Sequence, residues 1–178
     1  MKQILYVFGL AILLSVTYTS CKKDSLEGMR QDEVDTLDKY VKDNNLARFK
    51  DASGIYFKDE VKGTGDTIKA LYKVMLQYNI FLIDSTKVFS TEDSLGYTLE
   101  EDPFFVDVST EALNQRRVQQ IAGLHIGLKK MHIGDSAFMI IPSELAFKAV
   151  DNSVYGIPRF STLLVYVYAK NGYLPAKQ

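Results

Sequence analysis

The chain has 178 residues, of which 47% are hydrophobic and 24% charged, enough for one domain with a real core and too little for two. A net charge of -1, with no basic stripe anywhere along the chain, excludes a global field for holding nucleic acid. Tyrosine and phenylalanine are plentiful, 11 and 10 residues, and tryptophan is absent. In a β-rich chain such rings serve first as core.

The first twenty residues are of a different material. Lys2 supplies a positive start, and Ile4 to Val16 is an almost unbroken apolar run. That length suits the core of a signal peptide and falls short of a bilayer span. Thr17, Thr19 and Ser20 follow, then Cys21, the one cysteine, so no intramolecular disulfide can form. A lone cysteine placed directly after a signal core resembles the lipobox of bacterial lipoproteins, in which it becomes the acylated N-terminus. Tyr18 stands where an aliphatic residue is usual in that motif. Acylation would contribute about 0.8 kcal/mol per buried methylene, and two or more chains make an anchor stable. Residues 1–20 are therefore set apart from the fold.

Lys22 to Gly28 reads as a polar tether. From Asp32 to Phe49, Val34, Leu37, Tyr40 and Val41 recur at three- and four-residue spacing among charged residues, which predicts an amphipathic helix broken near Asn44–Leu46. Its narrow apolar stripe favours packing on the domain or a spacer role, with a dimerising or partner-docking helix as the alternative. Gly54 to Asp66 predicts a strand running into a glycine turn at Gly63-Thr-Gly65. These glycines do not make a phosphate loop, because no Gly-Lys-Ser/Thr and no helix follow.

Lys69 to Ile83 is strand-like, with Val74, Leu76 and Tyr78 on one face and Lys73 and Gln77 on the other. Asp84–Lys87 is a turn, Val88-Phe89 resumes extended structure, and Ser90–Glu101 is polar loop. Phe104–Val108 is again strand-like, and Glu111–Gln120 is ambiguous between helix and loop. Leu124–Met131 predicts a short helix packing Leu124, Leu128 and Met131. After a Gly134-Asp135 turn, Ser136–Ile141 is a continuous apolar strand. Ala149–Gly156 is a loop, and Thr162–Ala169 the last strand. Several strands with one short helix across them give an α+β fold on an antiparallel sheet.

Nucleophilic and metal chemistry find little support. His125 and His132 lack a cysteine or carboxylate at ligand spacing and read as solvent-exposed polar residues. Ser143 and Glu144 have no histidine placed to activate the serine.

From Gly54 to Lys170 the order and spacing of several short pieces resemble the FKBP-type peptidyl-prolyl isomerases. Gly63-Thr-Gly65 followed by Tyr78, then Tyr78-Asn-Ile-Phe-Leu-Ile-Asp84 and Val88-Phe89-Ser90, is similar to that family's Gly-x-Gly, Tyr-Thr-Gly-x-Leu-x-Asp and Phe-Asp pieces. Pro103-Phe-Phe-Val106, Ile121-Ala-Gly123-Leu124, Pro142-Ser-Glu-Leu-Ala-Phe147 and Tyr155-Gly-Ile157-Pro158 before Ser161-Thr-Leu163 resemble its later pieces. The resemblance implies an FKBP-like fold, a curved antiparallel β-sheet wrapped around a short α-helix and preceded by an N-terminal helix. Taken with the reading of the N-terminal segments, it divides the chain into a signal peptide (1–20), tether and helix (21–50), FKBP-like domain (51–172) and tail (173–178).

The resemblance also implies a groove walled by Tyr78, Phe89, Phe104, Ile121, Leu124, Phe147, Ile157 and Val165, with the Ile121 backbone N–H donating to the substrate carbonyl. Four positions depart from the family. Leu124 stands for the tryptophan floor, Phe147 for a tyrosine whose hydroxyl bonds the ligand, Ser90 for an aspartate that polarises the site, and Val165 for a phenylalanine wall. The activity implied is rotation of X–Pro bonds in exported polypeptides, without metal or other cofactor, at a lipid anchor in the inner or outer membrane of the cell envelope, periplasmic or surface-facing. A non-catalytic binding or chaperone module and a structural envelope lipoprotein are the alternatives.

Overall fold

The structure, a computed structural model, describes residues 25–91, 103–107 and 117–174. The signal segment and Cys21 lie outside these residues, as do most of the polar loop after Ser90 and the stretch 108–116.

Helix α1 spans Leu26–Asp43 and starts earlier than its apolar periodicity predicts. Ser25 is the reason: its side-chain oxygen accepts the Gly28 N–H at 3.0 Å, satisfying a donor that the first helical turn cannot. Leu26 to Gly28, expected as part of a tether, are therefore helical. The helix stops at Asn44, whose successor Asn45 takes a positive φ of 56°. A short 3-10 turn follows at Ala47–Phe49.

Six strands form one antiparallel sheet: β1 Tyr56–Val61, β2 Lys73–Leu82, β3 Lys87–Ser90, β4 Pro103–Phe105, β5 Ser136–Ile141 and β6 Leu163–Tyr173. Their order is β1-β5-β6-β2-β3, with β4 also paired to β2. Strand β4 is shorter than predicted, and β6 runs past Ala169 to Tyr173. A 3-10 turn at Arg117–Gln120 leads into helix α2, Ala122–Leu128. Met131 lies beyond the end of α2 and is nevertheless fully buried.

Both faces of the sheet are covered in its middle, which explains the unbroken apolar run of β5. Ala137, Met139 and Ile141 join the main core around α2, while Phe138 and Ile140 join a second cluster with Leu37 and Val41 of α1. The α1 stripe therefore packs on the domain. In β2 the alternation is as read: Val74, Leu76, Tyr78 and Ile80 are buried, and Gln77 and Asn79 face the other way.

Two glycines set the closeness of this packing. A Cβ on Gly123 of α2 would sit 2.3 Å from Ile141 Cγ2, so helix and strand touch only because it is absent. A Cβ on Gly63 would sit 2.4 Å from the backbone of Gly134. That contact is fastened by Asp135, whose carboxylate accepts the Gly63 and His132 N–H groups, each at 2.6 Å. Among the described residues no helix is long and apolar enough to cross a membrane.

Candidate active site

Strand β2 presents Tyr78 to the α2 side of the sheet. Phe89 of β3 stacks on it, with ring centroids 5.1 Å apart and 18° between planes. Tyr155, from the loop before β6, meets Phe89 edge to face at 5.2 Å. Ile121 and Leu124 from the start of α2, Val165 from β6, Phe104 from β4 and Ile157 from the same loop as Tyr155 belong to the main core against which these rings pack. Eight of the nine residues named from sequence thus gather in or against one apolar cluster.

Their accessibility divides them. Tyr78, Phe104, Ile121, Leu124, Ile157 and Val165 are each at most 4% exposed and form a closed floor. Phe89, Phe147 and Tyr155 are half-buried and form the accessible edge, or lip, of the cluster. Tyr155 was not among the residues named from sequence. Its signal is its place two residues before Ile157, which brings an aromatic ring to the mouth of the site.

Two expectations are corrected. Ser90 does not join the site. Adjacent residues of a strand point to opposite faces, and Ser90 Oγ donates to Asn79 Oδ1 at 2.6 Å on the far side of the sheet from Phe89. The Ile121 N–H is engaged: it donates to the Val118 carbonyl at 3.1 Å within the turn that opens α2, and in this structure it is not free for a substrate carbonyl.

His125 is a third correction. Its side chain is only 14% exposed and fixes Phe104. The Asp107 N–H donates to His125 Nδ1 at 2.9 Å, which makes Nε2 the protonated nitrogen, donating to the Gln119 carbonyl at 2.8 Å. The imidazole lies against the Phe104 ring at 4.7 Å. The Gln119 side chain accepts the Phe105 N–H and donates to the Phe105 carbonyl, gripping β4 from the other side. His132 is exposed, as expected.

The loop that carries Tyr155 and Ile157 is stapled at its base. Asp151 accepts the Arg159 backbone N–H at 2.8 Å and its Nε–H at 3.0 Å. The Arg159 side chain holds the Asp151 carboxyl below the usual carboxylate range. Asn152 and Ile157 exchange backbone hydrogen bonds inside that staple.

The arrangement suits one kind of chemistry. A planar X–Pro amide separates charge between oxygen and nitrogen, and the twisted transition state has lost that resonance. Apolar walls stabilise the twisted form relative to the planar one, with no covalent step. Aromatic rings offer flat apolar faces of the size of a pyrrolidine ring.

A short helix packed on an antiparallel sheet, with an aromatic-lipped apolar cluster, is the arrangement that the resemblance to prolyl isomerases implies. The family model for FKBP-type peptidyl-prolyl cis-trans isomerase matches residues 63–168, and the chain belongs to that family. It carries an FKBP-type peptidyl-prolyl isomerase domain, whose substrates are proline-containing polypeptides.

Solved structures share the fold. A peptidyl-prolyl cis-trans isomerase of Pseudomonas syringae pv. tomato aligns with a TM-score of 0.62 at 19% identity, over 83% of this chain and 96% of that one. FkpA of Escherichia coli aligns at 0.60 and 22% identity, over 97% of this chain and 71% of its own. The N-terminal domain of FKBP42 from Arabidopsis thaliana aligns at 0.55 and 19% identity, over 67% and 86%. No curated protein matches the chain.

Proposed function

We propose that this protein accelerates cis-trans interconversion of X–Pro bonds in exported polypeptides, tethered to the cell envelope through an acylated Cys21. The observation that carries the catalytic part is the aromatic string Tyr78–Phe89–Tyr155 over an apolar floor that includes Leu124 and Val165. Phe89, Phe147 and Tyr155 grip the proline ring, and the floor supplies the low-polarity surroundings in which the twisted amide is favoured. The work needs no nucleotide or metal, which suits a compartment without ATP. The exported clients and the envelope location rest on the apolar run Ile4–Val16 followed by Cys21.

The test is an isomerisation assay on a proline tetrapeptide with purified protein, alongside labelling of cells with a tagged fatty acid. Turnover that Phe89→Ala reduces, and label that Cys21→Ser abolishes, are the expected results. Folded protein without turnover at high concentration removes the catalytic reading. Label retained by Cys21→Ser removes the anchor.

A second reading is a non-catalytic binding module. It is favoured by the engaged Ile121 N–H and by Phe147, which lacks a hydroxyl to bond a carbonyl. Binding of the tetrapeptide without acceleration selects it.

A further inference from the structure

The inward stripe of α1 contains one charged residue. Glu33, Leu37 and Val41 recur at four-residue spacing on the face that meets the domain, and Leu37 and Val41 are buried. Glu33 lies between two pieces of chain distant from it in sequence. Its Oε1 accepts the Ser143 backbone N–H at 2.7 Å and the Thr162 hydroxyl at 2.7 Å, and its Oε2 accepts the Ser143 hydroxyl. Ser143 is fully buried and Thr162 is 4% exposed. A half-buried carboxylate on the inward face is stabilising only when its oxygens are met in this way, and the buried donors in turn depend on it.

Ser143 and Thr162 are the two ends of one segment. Between them lie Phe147 and Tyr155, two of the three lip residues, and Ile157 of the floor. The segment is zipped near both ends: the Lys148 N–H donates to the Ser143 carbonyl at 2.8 Å, and the Phe160 N–H donates to the Lys148 carbonyl at 2.7 Å. One carboxylate from the N-terminal helix therefore holds both feet of the loop that supplies most of the lip. Arg30, one turn earlier, adds an exposed pair to Glu144 at 3.1 Å. Leu37 and Val41 lack this connection, for they pack against Tyr56, Phe138, Ile140 and Leu164 on the other face of the sheet.

We propose that Glu33 is a positioning residue of the isomerase site, and that α1 is a working part of that site and not a spacer. The proposal rests on the isomerase reading above. Helix α1 sets the spacing of Phe147 and Tyr155 relative to Phe89, and so the fit of the proline ring. Displacements on the scale of an ångström at such a lip are enough to change substrate handling severalfold or more.

The test compares Glu33→Ala, Glu33→Gln and Leu37→Ala in the full-length protein. Three quantities are read: KM and kcat for a proline tetrapeptide at low temperature, the thermal midpoint, and the aromatic NMR shifts of Phe147 and Tyr155. Glu33→Ala raises KM about tenfold and moves both sets of shifts. Glu33→Gln, which keeps an oxygen for the Ser143 N–H and Thr162 hydroxyl, recovers most of the loss. Leu37→Ala lowers the thermal midpoint at least as much as Glu33→Ala and leaves KM within about twofold.

The proposal is overturned if KM follows the thermal midpoint alike in Glu33→Ala and Leu37→Ala, or if Glu33→Ala leaves KM and the shifts unchanged. If Glu33→Ala does not fold, Thr162→Val removes a single bond. A KM and lip shifts equal to those of the wild type would then overturn it. If the wild type itself shows no turnover, the isomerase reading fails, and the shifts of Phe147 and Tyr155 still decide whether Glu33 sets the lip.

Discussion

Replacing Asp135 tests how the glycine turn is held to the core. Its side chain is 3% exposed, and its two oxygens accept the N–H groups of Gly63 and His132. Burial alone would raise its pKa. The hydrogen bonds from the His132 and Gly63 backbones, with the His132 side chain, outweigh burial and leave the carboxyl below the usual carboxylate range. Asp135→Ala orphans both donors at about 1–3 kcal/mol each. Since both bonds are part-buried the lower half of that range applies, about 1–2 kcal/mol for each donor and about 2–4 kcal/mol in all.

The sign of the pH dependence follows from the lowered pKa. The stabilisation is complete above the unfolded carboxyl pKa, about 3.9, and is lost as pH falls through the folded value. Urea unfolding of wild type and Asp135→Ala at a series of pH values checks this. The gap between the two is largest near pH 7 and narrows below about pH 4. A gap below about 1 kcal/mol at pH 7, or one that stays constant down to pH 3, would refute the reasoning.

Other substitutions separate close packing from function. Gly123→Ala drives a Cβ into the branched, fully buried Ile141. Gly127→Ala meets only the flexible end of Met139, at 2.4 Å from its Sδ. Chemical denaturation should show the first losing about 1–3 kcal/mol or more and the second clearly less; equal losses would count against the close helix-strand contact. Leu124→Trp brings the family's usual residue to a position with no exposed surface. It is expected to destabilise by about 1–3 kcal/mol without raising turnover, and a more active variant of unchanged stability would show the floor to be open. Tyr155→Ala is expected to raise KM for a proline peptide about tenfold with little change in the thermal midpoint, because it removes a half-buried ring from the lip. An unchanged KM would take Tyr155 out of the site.

Much of the fold is legible because its signals are local or periodic. The alternation in β2 separates Val74, Leu76 and Tyr78 from Gln77, and the unbroken apolar run of β5 reports cover on both faces. The start of α1 is hidden because Gly28 and the exposed Leu26 and Met29 weaken the apolar period, although Ser25 is a cap signal. In the site, Ser90 follows Phe89 in the family's Phe-Asp piece, and only the pairing of β3 with β2 shows that it turns to the Asn79 side. The engagement of the Ile121 N–H depends on a 3-10 turn whose only residues before it are an ambiguous polar stretch. The contacts of Gln119 and His125 with β4, and of Glu33 with Ser143 and Thr162, join residues far apart in sequence. No pattern along the chain announces them.

The most direct measurement is the exchange rate between cis and trans forms of a proline tetrapeptide, followed by NMR, with and without the full-length protein. Acceleration that falls in both Phe89→Ala and Tyr155→Ala, with both variants folded, is the expected result. Folded wild-type protein that leaves the exchange rate at its spontaneous value, or acceleration indifferent to both substitutions, would contradict a proline-rotating site at this aromatic lip.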